Sequence, residues 1–227
     1  MNKLITAVIL AFSMGMVTAY GSEARSDIHA SAELVQPLLP GMQAPDFTVR
    51  DATGEPFEYI ASLQDKPLVL TFFRGGWCPY CNLHLAEMRL AEKQLQDMGF
   101  NIWFISIDKP EMLLASLDDP EIGYTLYSDS SLSATRAFGL AFRVDDKTVE
   151  RYLGYDINLE EASGQNHHVL PAPATYIIGT DGVISFAYVN PVYTARLHPD
   201  VLLAAAKAYK DDAGNRLTKR RKAAMEK

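Results

Sequence analysis

Cys78 and Cys81 are the only cysteines in this 227-residue chain, and they stand three positions apart in Phe72-Phe73-Arg74-Gly75-Gly76-Trp77-Cys78-Pro79-Tyr80-Cys81. An apolar run precedes them and an amphipathic run follows, which predicts a strand, a turn and then a helix that starts at the first cysteine. A thiol at a helix start has its thiolate favoured by unpaired backbone N–H groups and by the positive end of the helix dipole. A thiol one turn later lies on the same face, within reach of a disulfide. The pattern therefore points to redox chemistry. A structural zinc site needs about four ligands at recognisable spacing. No other cysteine exists here, and apart from His167-His168 the histidines are scattered. A purely structural disulfide across so short a loop would stabilise the fold little, because the gain grows with loop length.

The elements that must hold this pair can be read outward from it. Leu68–Phe73 is apolar almost throughout, as expected of a strand buried on both faces of a sheet. After the cysteines, Leu85, Met88, Ala91, Leu95 and Met98 form one helical stripe that ends at Gly99. Ile102–Ile107 predicts a second buried strand that includes Trp103. Pro110 opens a short helix to about Leu117, and Tyr124–Tyr127 predicts another strand. Asp129 or Ser130 can cap a helix running to Phe138. Upstream, Thr48–Arg50 and Pro56–Tyr59 flank the turn Asp51–Gly54 and predict a hairpin. Residues 143–170 read as polar and irregular, with a helical turn near Glu150–Leu153. Ala174–Gly179 and Val183–Tyr188 form a hairpin around Asp181-Gly182, either as a two-residue turn or as part of a longer loop. A last helix follows His198-Pro199 and uses Val201, Leu202, Ala205 and Tyr209. Alternating strands and helices followed by a hairpin and a helix indicate an α/β fold with a mixed sheet.

The N-terminus carries Lys3, an apolar run from Leu4 to about Ala19, and small residues at Val17-Thr18-Ala19. That is the pattern of a secretory signal over residues 1–19. At about 16 residues the run is short for a membrane span, which needs about 20; uncleaved, it would serve as an anchor. The expected products are a flexible leader (20–38), one domain (39–210) and a solvated basic tail (211–227) with Lys219-Arg220-Arg221-Lys222. Export from a bacterial cytoplasm would place the dithiol in the oxidising periplasm. The chain has a formal net charge of −7 and a pI near 5.2, which argues against nucleic acid or an anionic membrane surface as a partner.

The order of elements and the Trp77-Cys78-Pro79-Tyr80-Cys81 block resemble the thioredoxin fold. The opening Gly41-Met42-Gln43-Ala44-Pro45-Asp46-Phe47, the hairpin and the long final segment resemble more specifically its peroxiredoxin-like branch, the alkyl hydroperoxide reductase/thiol-specific antioxidant type. Arg74–Asn82 is similar to the block of a bacterial subgroup with Cys-Pro-Tyr-Cys. The resemblance runs from about Leu39 to about Ala208. It implies a thioredoxin-like fold, a central mixed β-sheet flanked by helices, with an N-terminal hairpin extension. It also implies a cis-proline facing the cysteines, here Pro173, and no cofactor or metal. Ordinary peroxiredoxins carry Pro-x-x-x-Thr-x-x-Cys and a later arginine. Aligned on Cys81, that loop puts Arg74 at the proline position and Cys78 at the threonine position, and Pro173 takes the place of the arginine. Arg74 then offers a substitute cation near the thiolate, and Trp77 flanks the groove.

Two functions compete on this reading. One is a thiol peroxidase: a cysteine is oxidised by a hydroperoxide to sulfenic acid, the pair closes a Cys78–Cys81 disulfide, and an external thioredoxin-like dithiol reopens it. The thioredoxin alignment makes Cys78 the exposed nucleophile, with the second thiol buried; the peroxiredoxin alignment favours Cys81. The other is a periplasmic thiol–disulfide oxidoreductase acting on protein or small disulfides, supported by the complete Cys-x-x-Cys, Pro173 and the glutaredoxin-like Pro79-Tyr80. A third, minor reading is a copper chaperone in which His167 or His168 joins the two cysteines.

Overall fold

A computed structural model describes residues 27–113, 123–212 and 215–225. The expected signal over residues 1–19 and the end of the helix expected after Pro110 lie outside the described residues. Seven strands form the central sheet: β1 (Phe47–Arg50), β2 (Pro56–Tyr59), β3 (Leu68–Phe72), β4 (Asn101–Ser106), β5 (Thr125–Ser128), β8 (Ala174–Ile178) and β9 (Ile184–Val189). Their order is β2-β1-β5-β4-β3-β8-β9. β3 runs parallel to β4, and β4 to β5, while β8, β9, β1 and β2 pair antiparallel. This is the expected mixed sheet. The upstream hairpin is present, with Arg50 opposite Pro56. A separate ribbon joins β6 (Ala141–Arg143) to β7 (Val169–Pro171).

Strand alternation explains why the site sits where it does. On β3, Leu68, Leu70 and Phe72 enter one core with Phe47, Tyr59, Phe138 and Tyr176. Val69 and the following Phe73 turn to the other face, where they meet Cys78, Cys81, Leu85 and Met88. That face is covered by α1 (Pro79–Asp97) and α6 (Pro199–Lys210). α1 buries Leu85, Met88, Ala91 and Leu95, the stripe read from the sequence, and Gly99 follows in a left-handed conformation at φ 83°. Cys78 is the N-cap of α1, and Pro79 occupies the first turn, where its missing N–H costs nothing. The short helix α2 (Pro110–Leu113) follows β4.

Several expectations need correction. Residues 143–170 are not irregular. They hold α4 (Asp146–Leu153) and α5 (Leu159–Ser163), each with a side-chain cap, from Asp145 and Asn158 respectively. The hydrophobic period is too brief in these short helices to be read, and their stability comes from a third core of Ile107, Leu132, Val144, Leu159, Val169 and Leu170. α3 is only Ser133–Ala137, with Leu132 at its N-cap position; Asp129 rather than Ser130 accepts from the first-turn N–H groups of Ala134 and Thr135. Of the two forms open to Asp181-Gly182, the structure takes the longer loop, closed by Gly179 N–H to Val183 O and Gly182 N–H to Gly179 O. On α6 the buried residues are Pro199, Leu202 and Ala206, while Val201 is exposed. The basic tail carries a helix, α7 (Arg216–Met225), with no buried residue.

Phe138 is fully buried between the rings of Phe47, Phe72 and Tyr176, which join α3 to the sheet. Phe138→Ala is expected to cost about 3–5 kcal/mol. Denaturant titration checks this as a lowered midpoint at unchanged slope.

Candidate active site

The Gly75–Cys78 turn is held from below by Asp108, just past the end of β4. The Gly76 N–H donates to Asp108 Oδ2 at 2.7 Å, as does the Ser106 hydroxyl at 3.1 Å. A Cβ on Gly75 would stand 2.3 Å from Trp77 Nε1 and 2.6 Å from Asp108 Oδ1, so only glycine fits. Burial pushes the Asp108 carboxyl up to about 6 against those two donors.

The structure brings Cys78, Cys81, Trp77 and Arg74 together. Both thiols are free and buried, Cys78 at 2% exposure and Cys81 at 0%. Cys78 is therefore not the exposed group that was expected. Its backbone carbonyl accepts from Cys81 N–H and Asn82 N–H, so α1 starts without a break. The two sulfurs differ in acidity. A hydrogen bond from the Cys81 thiol is the largest influence on Cys78; burial opposes it, and the Arg74 guanidinium, the Cys81 N–H and Arg196 reinforce it, leaving the Cys78 thiol at about 6. Burial and the neighbouring Cys78 push Cys81 well above the ordinary thiol range, against the pull of Arg196. At neutral pH the pair is Cys78 thiolate accepting a hydrogen bond from Cys81 thiol.

Arg74 is buried, not a surface residue. Its guanidinium carbon lies 4.3 Å from the ring centre of Tyr193, 5.2 Å from Trp77 and 5.4 Å from Tyr152, and Nη2 donates to the Tyr152 hydroxyl. Each such cation–π contact contributes roughly 0.5–2 kcal/mol. Among the described residues no carboxylate forms an ion pair with Arg74. Pro173 is buried and lines the same cavity as Arg74 and Tyr193. The expected cis bond is absent: every described peptide bond is trans. Ala172 N–H donates to Leu140 O and Asn190 N–H to Pro173 O, which hold the chain extended as it passes from β7 into β8.

Three groups at the site are not apparent in the sequence. Arg196, in the loop before α6, donates from Nη2 to Cys81 Sγ at 3.3 Å, and its buried Nε and Nη1 have no hydrogen-bond partner. No sequence motif marks it, because the contact spans 115 positions. His84, buried on the Cys81 face of α1, donates from Nε2 to Leu197 O; burial, then Arg196, hold it near pKa 4 and so neutral. Its signal was its spacing, three residues after Cys81. Asp108 had one as well, since an acidic residue beyond the carboxyl end of a buried parallel strand is a place where sites form.

The copper set is not assembled. His167 Nε2 meets Ser130 O, while its Nδ1 accepts from Val169 N–H, and His168 pairs with Glu160. No group of three metal-ligating side chains occurs among the described residues.

Residues 40–187 match the family described as AhpC/TSA. A putative peroxiredoxin, bcp, of Haemophilus influenzae is 27% identical over 106 residues, 47% of this chain and 68% of that protein. The thiol-disulfide oxidoreductase ResA of Halalkalibacterium halodurans is 26% identical over 101 residues, 44% of this chain and 56% of that protein. The crystal structure of peroxidoxin BcpB from Mycobacterium tuberculosis aligns with a TM-score of 0.57 at 22% identity, covering 74% of this chain and 96% of that one. That likeness establishes the fold.

Ultraviolet thiolate absorbance should show a single titration near pH 6, assigned to Cys78. An acid with a lowered pKa is ionised above that value, so alkylation at pH 7 should be fast and should slow as pH falls through about 6. Cys81→Ala is expected to raise the midpoint toward the ordinary ~8.5, and Arg74→Gln to raise it by less.

Proposed function

The chain belongs to the AhpC/TSA family of thioredoxin-fold oxidoreductases, and we propose that it reduces hydroperoxides through Cys78, with Cys81 as its resolving partner. The observation that carries this reading is the combination of a thiolate-forming Cys78 with 2% exposure. A small peroxide needs only a channel to reach such a sulfur. A protein disulfide needs an exposed one.

The steps follow from the two acidities. The Cys78 thiolate attacks one peroxide oxygen; the O–O bond breaks, the distal oxygen leaves as water or an alcohol after taking a proton, and Cys78 becomes a sulfenic acid. Arg74 offsets the charge on the attacking sulfur. Cys81 then attacks the sulfenic sulfur. Its S–H proton leaves with the hydroxyl as water, and a Cys78–Cys81 disulfide forms. Arg196, in contact with Cys81 Sγ, favours the negative charge that develops there. The weakened acidity of Cys81 keeps this second thiol protonated until Cys78 has been oxidised. An external thioredoxin-like dithiol restores both thiols. This cycle needs neither metal nor cofactor. Export to a periplasm is part of the proposal and rests on the pattern of residues 1–19.

Disulfide exchange is the competing function, and the likeness to ResA gives it weight. A thioredoxin-coupled assay decides between them: hydrogen peroxide or cumene hydroperoxide should be consumed far faster than by free thiols, while insulin reduction stays near background. Insulin reduction without peroxide turnover would overturn the peroxidase reading. Cys78→Ser should abolish turnover. Cys81→Ser should retain one oxidation and yield a dimedone-trappable sulfenic acid on Cys78.

A further inference from the structure

Beside the cysteine turn lies a cavity of about 250 Å³, lined by Arg74, Arg143, Arg151, Tyr152, Pro173 and Tyr193 among others. It is smaller than the ~300–1,000 Å³ typical of sites for drug-sized ligands. Arg74 forms its inner end. That side chain is 4% exposed, its Nε has no hydrogen-bond partner, and no described carboxylate pairs with it. With the Cys78 thiolate as its only anionic neighbour among the described groups and a buried donor left over at Nε, this guanidinium has capacity for a further anion. The acidic residues of the cavity do not play that part. Asp145 is occupied as the cap of α4, accepting from the Thr148 N–H and hydroxyl, and Glu33 stands exposed on the rim. Two further guanidiniums, Arg143 and Arg151, sit at the exposed end. Tyr152, Tyr193, Pro173 and Phe142 give the lining aromatic and apolar surface, and Ser31 and Thr148 add two hydroxyls.

We infer that this cavity binds the carboxylate end of a small organic substrate, with Arg74 and Arg151 holding the anion and the tyrosines the carbon skeleton. Arg74 lines the cavity and also favours the Cys78 thiolate, so an anion anchored there is coupled to that sulfur, which does not itself line the cavity. The inference deepens the peroxidase reading and rests on it for the substrate's other end: the site selects acidic hydroperoxides over neutral ones. A small thiol reductant bearing a carboxylate is the other source of the same chemistry.

Direct binding separates this inference from the activity. Titration calorimetry with phenylacetate and its uncharged isostere phenylacetamide, on the reduced full chain, should show the acid binding at least roughly tenfold tighter, the yield of one charge-assisted hydrogen bond. Arg151→Gln, an exposed change, should weaken the acid and not the amide. Saturating phenylacetate should also move the Cys78 titration upward, because the anion takes up the Arg74 charge. Equal affinity for acid and amide, or an acid affinity unchanged by Arg151→Gln, overturns the site even if peroxides are turned over. Selective acid binding with no turnover of any peroxide leaves the site standing and removes the peroxidase reading. KM comparisons then identify the source: linoleic acid hydroperoxide against its methyl ester, and 3-mercaptopropionate against its methyl ester as reductant. A lower KM for the acid in the first pair assigns the cavity to the oxidant, and in the second to the thiol. A preference in neither overturns the inference.

Discussion

A positive charge buried without a carboxylate is the constraint around which this site is arranged. Arg74 follows directly from β3, so the chain has no freedom to place it at the surface while the sheet and α1 stay where they are. The structure stabilises it with π faces from Trp77, Tyr152 and Tyr193, a hydroxyl acceptor, and the nearby Cys78 sulfur. The last of these is chemically productive. A cation paired with a carboxylate would be satisfied and would do little for a thiol. Left without one, it lowers the free energy of whichever neighbouring group can become an anion, and Cys78 is that group. The same reasoning holds one turn along, where Arg196 meets Cys81 with two of its buried nitrogens unpartnered.

The rest of the fold supplies what this charge requires. β3 and β4, buried on both faces, fix the start of the turn and the position of Asp108. Asp108 anchors Gly76, and Gly75 leaves room for Trp77 to lie close. Tyr152 reaches Arg74 from α4, which stands on its own small core with α5 and the β6–β7 ribbon. Tyr193 comes from the loop after β9, and Arg196 from the same loop nearer α6. The cage thus closes only when segments far apart in the chain have folded onto one edge of the sheet. The energetic consequence is coupling: a change that loosens α4 also loosens a wall of the cage, so part of the thiol's acidity depends on packing distant from it in sequence.

The sequence was most informative where periodicity and steric rules act locally. The β1–β2 hairpin, the fully buried β3, the stripe on α1 and the Gly99 stop all follow from alternation, helical spacing and left-handed glycine geometry. Cys78, Cys81, Trp77 and Arg74 were legible because one ten-residue block holds them. The short helices α4 and α5 were not, since five to eight residues give little period and their stability is tertiary. Arg196 was invisible for a stronger reason, since nothing local distinguishes it from any other loop arginine. The burial of Cys78 and the trans bond before Pro173 are likewise outcomes of three-dimensional packing.

The hybrid character of the cysteine block becomes physically intelligible in this light. A threonine at the position of Cys78 would offer a neutral hydroxyl to a thiolate at Cys81. A cysteine there exchanges the roles, because the sulfur at the helix N-cap is the one that receives the thiol hydrogen bond and the Arg74 charge, whereas the sulfur inside the first turn is fully buried. Cys81 therefore becomes the hydrogen-bond donor and, in the proposed cycle, the second nucleophile. Because both sulfurs belong to one helical turn, resolution in the proposed cycle needs no second subunit and no distant loop to unfold. What it does need is access for the external dithiol, and at 2% exposure Cys78 does not provide it while the first turn of α1 is intact. That turn rests on the Cys78 carbonyl accepting from Cys81 and Asn82. In a Cys78–Cys81 disulfide the Cys78 sulfur carries no charge for Arg74 to offset, so that part of the cage's electrostatic balance belongs to the reduced pair alone.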